Sequence, residues 1–146
     1  QIAGRSGLQI FQALLAGEIP PPPMAATLDF TLLGIEPGFA LFQGQPRFNH
    51  YNPMGTVHGG WFATLLDSAM GCAVHSTLPV DKAYTTVELK LNLVRALTDV
   101  VPLVRAEGQL VHGGSQVATA EGRLVGPDGK LYAHASTTCL IFDLAS

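Results

Sequence analysis

Charge is scarce in this 146-residue sequence, where 13% of residues are Asp, Glu, Lys or Arg, against roughly 25% in ordinary soluble domains. Hydrophobic residues make up 47%, so a surface this poor in charge is expected to be shared with other subunits. The eight Lys and Arg are scattered singly and the formal net charge is -3. No basic stripe is therefore available to neutralise a nucleic-acid backbone or an anionic membrane, and neither is expected as a partner. Cysteine is rarer still: Cys72 and Cys139 lie far apart, each in an apolar run where a free thiol behaves as a small hydrophobe. No disulfide is expected.

Long hydrophobic runs are missing too. No apolar stretch reaches the ~18 to 20 residues that span a bilayer. Nothing near Gln1 joins a basic flank to a signal-peptide core, so the expected compartment is the cytoplasm. His50, His58, His75, His112 and His134 show no HxxxH-type pairing and no Cys partner, which leaves no metal site in the pattern. A G-x-S-x-G elbow, a P-loop and a Rossmann fingerprint are all absent. The nearest lookalike, His112-Gly113-Gly114-Ser115, lacks the phosphate-loop Lys and reads as a hairpin turn. No cofactor is expected.

What is present fits one domain with one core. Leu8, Phe11, Leu14 and Leu15 recur at helical spacing, and Pro20-Pro21-Pro22-Pro23 forbids continuation. Residues 1–27 thus read as an N-terminal helix and a proline-rich connector, ahead of a main domain over 28–146. From Leu28 to Phe42 apolar and polar residues alternate about Glu36-Pro37-Gly38, a hairpin pattern. His50 to Val57 has loop composition and delivers the chain to Gly59-Gly60. Trp61 to Val74 is apolar nearly all round, as expected of a helix buried on most sides. Four strand candidates follow, Tyr84 to Ala96, Leu103 to Val111, Gln116 to Val125 and Leu131 to Phe142, with short turns that predict antiparallel order. One long helix against about six antiparallel strands is an α+β arrangement.

Asp67 is the only charge in the apolar helix. Burying a carboxylate costs several kcal/mol unless it is paired or hydrogen-bonded, so it is either a surface residue, the partner of an arginine such as Arg95, or functional. At the helix start, Gly59 and Gly60 leave backbone N–H groups uncovered at the positive end of the dipole, a setting that suits an oxyanion. At about 1.5 Å rise per residue, Gly59 and Asp67 lie roughly 12 Å apart on one helix. If both serve one reaction, they must come from two subunits across a two-fold axis. Asn52 is either an amide donor to a carbonyl or the start of an Asn-Pro turn, His58 either assists or caps, and Thr85 and Thr86 either position water or simply favour a strand.

The run Asn52-Pro53-Met54-Gly55-Thr56-Val57-His58-Gly59-Gly60, then Leu65-Leu66-Asp67 and Thr85-Thr86-Val87-Glu88-Leu89-Lys90, resembles the hotdog thioesterases of the PaaI-like (phenylacetate-degradation) branch. The likeness continues through Arg105-Ala106-Glu107-Gly108, Ala118-Thr119-Ala120-Glu121-Gly122 and Thr137-Thr138-Cys139-Leu140, over roughly residues 28 to 142. It implies hydrolysis of acyl-coenzyme A without metal or cofactor, in a hotdog dimer that pairs again into a tetramer. It further implies Asp67 as nucleophile or general base, Gly59 as backbone oxyanion donor and Asn52 as the amide on the carbonyl. His58 would have a supporting role, and Thr86 would place water. The turn His112-Gly113-Gly114-Ser115 departs from relatives in carrying no basic residue for the coenzyme A phosphates; Arg95, Arg105 and Arg123 near strand ends are either substitutes for it or, more commonly for such residues, solvated surface charges. The competing readings are a hotdog dehydratase or hydratase acting on an acyl thioester, and a non-catalytic acyl-coenzyme A binding module.

Overall fold

The computed structural model describes residues 2–144. Helix α1, Gly7–Leu15, opens on a reciprocal cap in which Ser6 Oγ accepts from the Gln9 N–H and Gln9 Oε1 accepts from the Ser6 N–H. Its Phe11 and Ala13 are buried, and the Gly7 N–H donates to the Leu78 carbonyl at 3.0 Å. The proline run is not wholly a connector: Pro23 begins a short helix, α2, Pro23–Thr27. Proline suits a first helical position, because the N–H it lacks would have no helical partner there.

Strands β1, Phe30–Glu36, and β2, Phe39–Gly44, form the expected hairpin. Gly38 takes a φ of 81° in its turn, a conformation that favours glycine. A 3₁₀ turn, Phe48–His50, leads into the loop before α3, Gly59–His75. Four strands follow: β3, Lys82–Leu93; β4, Val104–Gly113; β5, Val117–Val125; and β6, Leu131–Asp143. They make one six-stranded antiparallel sheet in the order β1-β2-β4-β5-β6-β3.

β4, β5 and β6 neighbour one another in sequence order, as their short turns predict, and β3 pairs with β6 at the far edge. Two expectations need correction. The link from β3 to β4 is a crossover, and it begins earlier than the strand candidate Tyr84 to Ala96 allows. The N–H groups of Val94 and Arg95 both turn to the Tyr132 carbonyl, ending β3 at Leu93. The long helix is also less enclosed than its composition suggests. Leu65, Leu66, Ala69, Met70, Ala73 and Val74 are fully buried against the sheet, whereas Ala63, Thr64, Asp67, Ser68, Cys72 and His75 form a half-exposed stripe.

The sheet can wrap α3 closely because its inner face is built from small residues. Ala106, Gly108, Ala118, Ala120, Gly122, Ala133 and Ala135 are all buried there and leave room for Leu65, Leu66 and Met70. Gly108 is the tightest point: a β-carbon on it would lie 2.1 Å from the Ala69 carbonyl oxygen of α3. Backbone cannot yield as a side-chain tip can, so Gly108→Ala is expected to cost about 3 kcal/mol through overpacking. A lowered urea midpoint at unchanged slope would register it.

Candidate active site

The candidate site residues fall into two groups, one at each end of the first half of α3. At the start of α3, His58 is the N-cap and its Nδ1 accepts from the Gly60 N–H at 2.8 Å. The Trp61 N–H reaches the His58 carbonyl at 3.0 Å. These two bonds occupy the second and third amides of the helix. The Gly59 N–H is left without an acceptor among the described residues, at the positive end of the dipole. Gly59 lines a cleft of about 320 Å³ together with Asn52, Thr56, Phe62 and the segment Leu93 to Leu97. The crossover that leaves β3 therefore forms one wall, and the Val57 N–H is fastened to the Leu97 carbonyl at 2.9 Å.

Asn52 is mostly engaged within its own loop. Its Oδ1 accepts from the N–H groups of Met54 and Thr56, and its Nδ2 donates to Thr56 Oγ1 at 3.0 Å. An amide nitrogen carries two hydrogens, so one donor remains for a ligand in the cleft. The loop bonds fix where that donor sits.

Two turns further along α3, Asp67 is half-buried on the open stripe, and Thr86 Oγ1 donates to its Oδ1 at 2.9 Å. Thr86 is on the inner side of β3, opposite Cys139, just before a bulge at Val87. Thr85 alternates to the outer side and is exposed, away from Asp67. Arg95 does not neutralise Asp67. Its Nε donates to the Leu131 carbonyl at 3.4 Å, and its guanidinium lies 5.9 Å from the centre of the Tyr132 ring. Among the described residues Asp67 forms no ion pair.

The surroundings of Asp67 are apolar on the core side, and the neighbouring groups register this. Burial, reinforced by the Asp67 charge, pushes the Cys72 thiol up from 9.0 to about 12. Burial also raises Tyr84, with the Cys72, Asp67 and Cys139 groups adding to it. Burial raises Cys139 as well, against opposing hydrogen bonds with Thr86 and Thr137. Both cysteines are free, and thiols held protonated in this way are poor nucleophiles.

His75, at the end of the same stripe, packs edge-on against Phe11 and tilted against Tyr84, and burial lowers its pKa from 6.5. The folded protein therefore binds the His75 proton less readily than the unfolded chain does. Its contribution to stability is present above pH 6.5 and declines as pH falls below that value toward the lower folded pKa. Thermal melts between pH 7 and 5 should show a steeper loss for the wild type than for His75→Gln.

The structure thus brings together Asn52 with Gly59, and Asp67 with Thr86, but not the two pairs within one chain. The sequence-based reading missed Asp29 and His50, with His50 Nε2 and Asp29 Oδ2 2.9 Å apart. No local pattern links two residues 21 positions apart. Among the described residues no helix is long and apolar enough to cross a membrane, and no group of three His, Cys, Asp or Glu side chains gathers to hold a metal.

Comparison with known proteins gives this geometry a context. A family model described as the thioesterase superfamily matches residues 54–133. A Halobacterium salinarum protein provisionally named an esterase is 40% identical over 82 residues, 54% of this chain and 52% of that protein. The match therefore spans about half of that relative's length. A Ralstonia eutropha protein, described as phenylacetic acid degradation-related and provisionally named a thioesterase, has a solved structure similar at TM-score 0.80. It is 30% identical, over 89% of this chain and 98% of that one. A variant of the phenylacetic acid degradation protein PaaI from Thermus thermophilus is 27% identical, over 82% of this chain and 98% of its own, at TM-score 0.73. The architecture is the hotdog fold, as the sequence led us to expect.

Proposed function

This chain belongs to the thioesterase superfamily, in its PaaI-like branch, and we propose that it hydrolyses acyl-coenzyme A thioesters to free acid and coenzyme A. The observation that carries the reading is Asp67, a carboxylate with no cationic partner among the described residues, held by Thr86 on the half-exposed stripe of α3. In this reading the thioester carbonyl enters the cleft at the helix start, where the free Gly59 N–H and the remaining Asn52 hydrogen take the developing negative charge. Asp67 of the other subunit is the nucleophile or the general base toward water. The Thr86 hydroxyl fixes Oδ1, leaving Oδ2 for that work, and His58 supports the site by capping Gly60. The reaction asks for no metal or cofactor, and coenzyme A enters as part of the substrate.

A homodimer follows from the roughly 12 Å between Gly59 and Asp67 along one helix. Two features support it. β3 is a long edge strand with an unpaired outer side, a template for further pairing. On the α3 stripe, Thr64 Oγ1 donates back to the Gly60 carbonyl and Ser68 Oγ to the Thr64 carbonyl, so these hydroxyls are satisfied internally and present little bulk to a crossing helix. The exposed Val117, Leu140 and Phe142 on the outer sheet face favour a second pairing into a dimer of dimers.

Of the three arginines considered for the coenzyme A phosphates, Arg95 lines the cleft, while Arg105 and Arg123 sit exposed on β4 and β5. Arg95→Ala is expected to raise KM about tenfold for an acyl-coenzyme A and to leave KM for the matching pantetheine thioester unchanged, as loss of one charge-assisted phosphate contact predicts. The reading as a whole is tested by release of free thiol from aryl-, short- and medium-chain acyl-coenzyme A substrates. Turnover supports it. Binding without turnover leaves the non-catalytic module, and loss of water from an added 3-hydroxyacyl-coenzyme A to give the enoyl thioester leaves the dehydratase.

A further inference from the structure

His50 is the most enclosed polar side chain near the cleft, at 1% exposure, yet it lines no part of it. Both ring nitrogens are engaged. Nδ1 accepts from the Arg47 N–H at 3.0 Å, so the ring proton is on Nε2, which donates to Asp29 Oδ2 at 2.9 Å. The same carboxylate oxygen lies 3.4 Å from Arg47 Nε. One face of the ring stacks on Trp61, with centroids 5.0 Å apart and planes 17° from parallel. Trp61 is itself tied down, its Nε1 donating to the Leu28 carbonyl at 2.8 Å. The His50 carbonyl accepts from the His58 N–H at 2.9 Å.

These bonds connect to the cleft through residues that adjoin its lining. Asn52 is two residues after His50, Gly59 is one residue after His58, and Trp61 is in the first turn of α3. A shift of the His50 ring would thus move both proposed carbonyl donors. Asp29 holds a φ of 56°, in the left-handed region, where Asp is tolerated better than most residues but still at some strain. Strain of this kind persists where the surrounding structure over-determines it, as it does at functional sites.

We propose that Asp29 and His50 form a positioning pair, which orients the Asn52 amide and the Gly59 N–H toward the thioester carbonyl without touching substrate. The proposal rests on the thioesterase reading for its kinetic consequence, though not for its structural one. Asp29 fixes the ring, the ring fixes Trp61 and the 50–58 loop, and the loop fixes the two donors. Misplacement of donors that act on the transition state lowers kcat more than it raises KM.

The test uses full-length Asp29→Gly, His50→Gln and His50→Asn. Glycine removes the acceptor and suits the φ of 56° at position 29. A glutamine amide can reach Asp29 as Nε2 does, whereas an asparagine oxygen can replace Nδ1 but falls short of Asp29. The expected result is a kcat about tenfold or more lower in Asp29→Gly and His50→Asn, with KM within about threefold, and with His50→Gln retaining more activity than His50→Asn. Trp61 is the only tryptophan, so its fluorescence reports the stack directly. Its emission should shift and its quenching by acrylamide rise in the Asp29→Gly and His50→Asn proteins, less so in His50→Gln. Unchanged Trp61 fluorescence in Asp29→Gly overturns the pairing whether or not the wild type is active. Shifted fluorescence with unchanged kcat overturns the catalytic role of the pair. A wild type that hydrolyses no thioester, with the fluorescence shifts present, rejects the functional reading and retains the pair as the device that orders the cleft.

Discussion

Asp67→Asn is expected to lower kcat by about 10³-fold, in the range typical of losing a catalytic acid–base group, while leaving the melting temperature unchanged or slightly raised. The two effects have separate causes. Asparagine keeps the Oδ1 acceptor that Thr86 engages at 2.9 Å, so the contact that places the side chain survives. It loses the negative charge, which is half-buried beside an apolar wall and has no cationic partner among the described residues to offset its desolvation. Removing an uncompensated charge does not destabilise the fold, but it removes the proposed nucleophile or base outright. Steady-state thiol release and a thermal melt on the same preparation check both halves. Full activity in the variant would take Asp67 out of the mechanism.

The second large effect is expected from mixing two inactive proteins. Gly59→Pro deletes the proposed oxyanion donor at a position where proline fits the first helical turn. The preceding His58 has a ψ of 138°, in the extended region that a residue before proline prefers. The nearest atom a new β-carbon would meet is Leu93 Cδ1, the tip of an exposed flexible side chain. This variant should therefore fold and lose about 10² to 10³ in kcat. When Gly59→Pro and Asp67→Asn are refolded together at equal concentration, about a quarter of the wild-type rate should return. Random pairing makes half the dimers mixed, and each mixed dimer has one site with both groups intact and one with neither. A site completed within one chain would give no recovery, which makes the result decisive for the shared-site geometry.

Much of this arrangement was legible before the fold was known, because it is local. The α3 start follows from Gly59-Gly60 after a loop, the hairpins from Glu36-Pro37-Gly38 and His112-Gly113-Gly114-Ser115, and the candidacy of Asp67 from being the only charge in an apolar helix. The distance argument separating Gly59 from Asp67 needs only the helical rise. Composition was a weaker guide to burial. Ala63, Ser68 and Cys72 lie within the same small or apolar run as Leu65 and Leu66, and only packing against the sheet separates the buried face of α3 from its open stripe.

The sequence by itself determined the main elements, the α+β class and most candidate residues of the reaction, since each depends on spacing and propensity over a few neighbours. Tertiary structure decided what depends on distant segments meeting. It carried β3 past β4 to the far edge, and so brought Thr86 to Asp67 and left the outer edge of β3 unpaired among the described residues. It occupied the Gly60 N–H with His58 and left that of Gly59 without an acceptor among the described residues. It also brought Asp29 to His50. Asp67, conspicuous in the sequence as a lone charge, acquires its partner only through a sheet order that no local pattern encodes, because pairing between remote strands is settled by how the whole core closes.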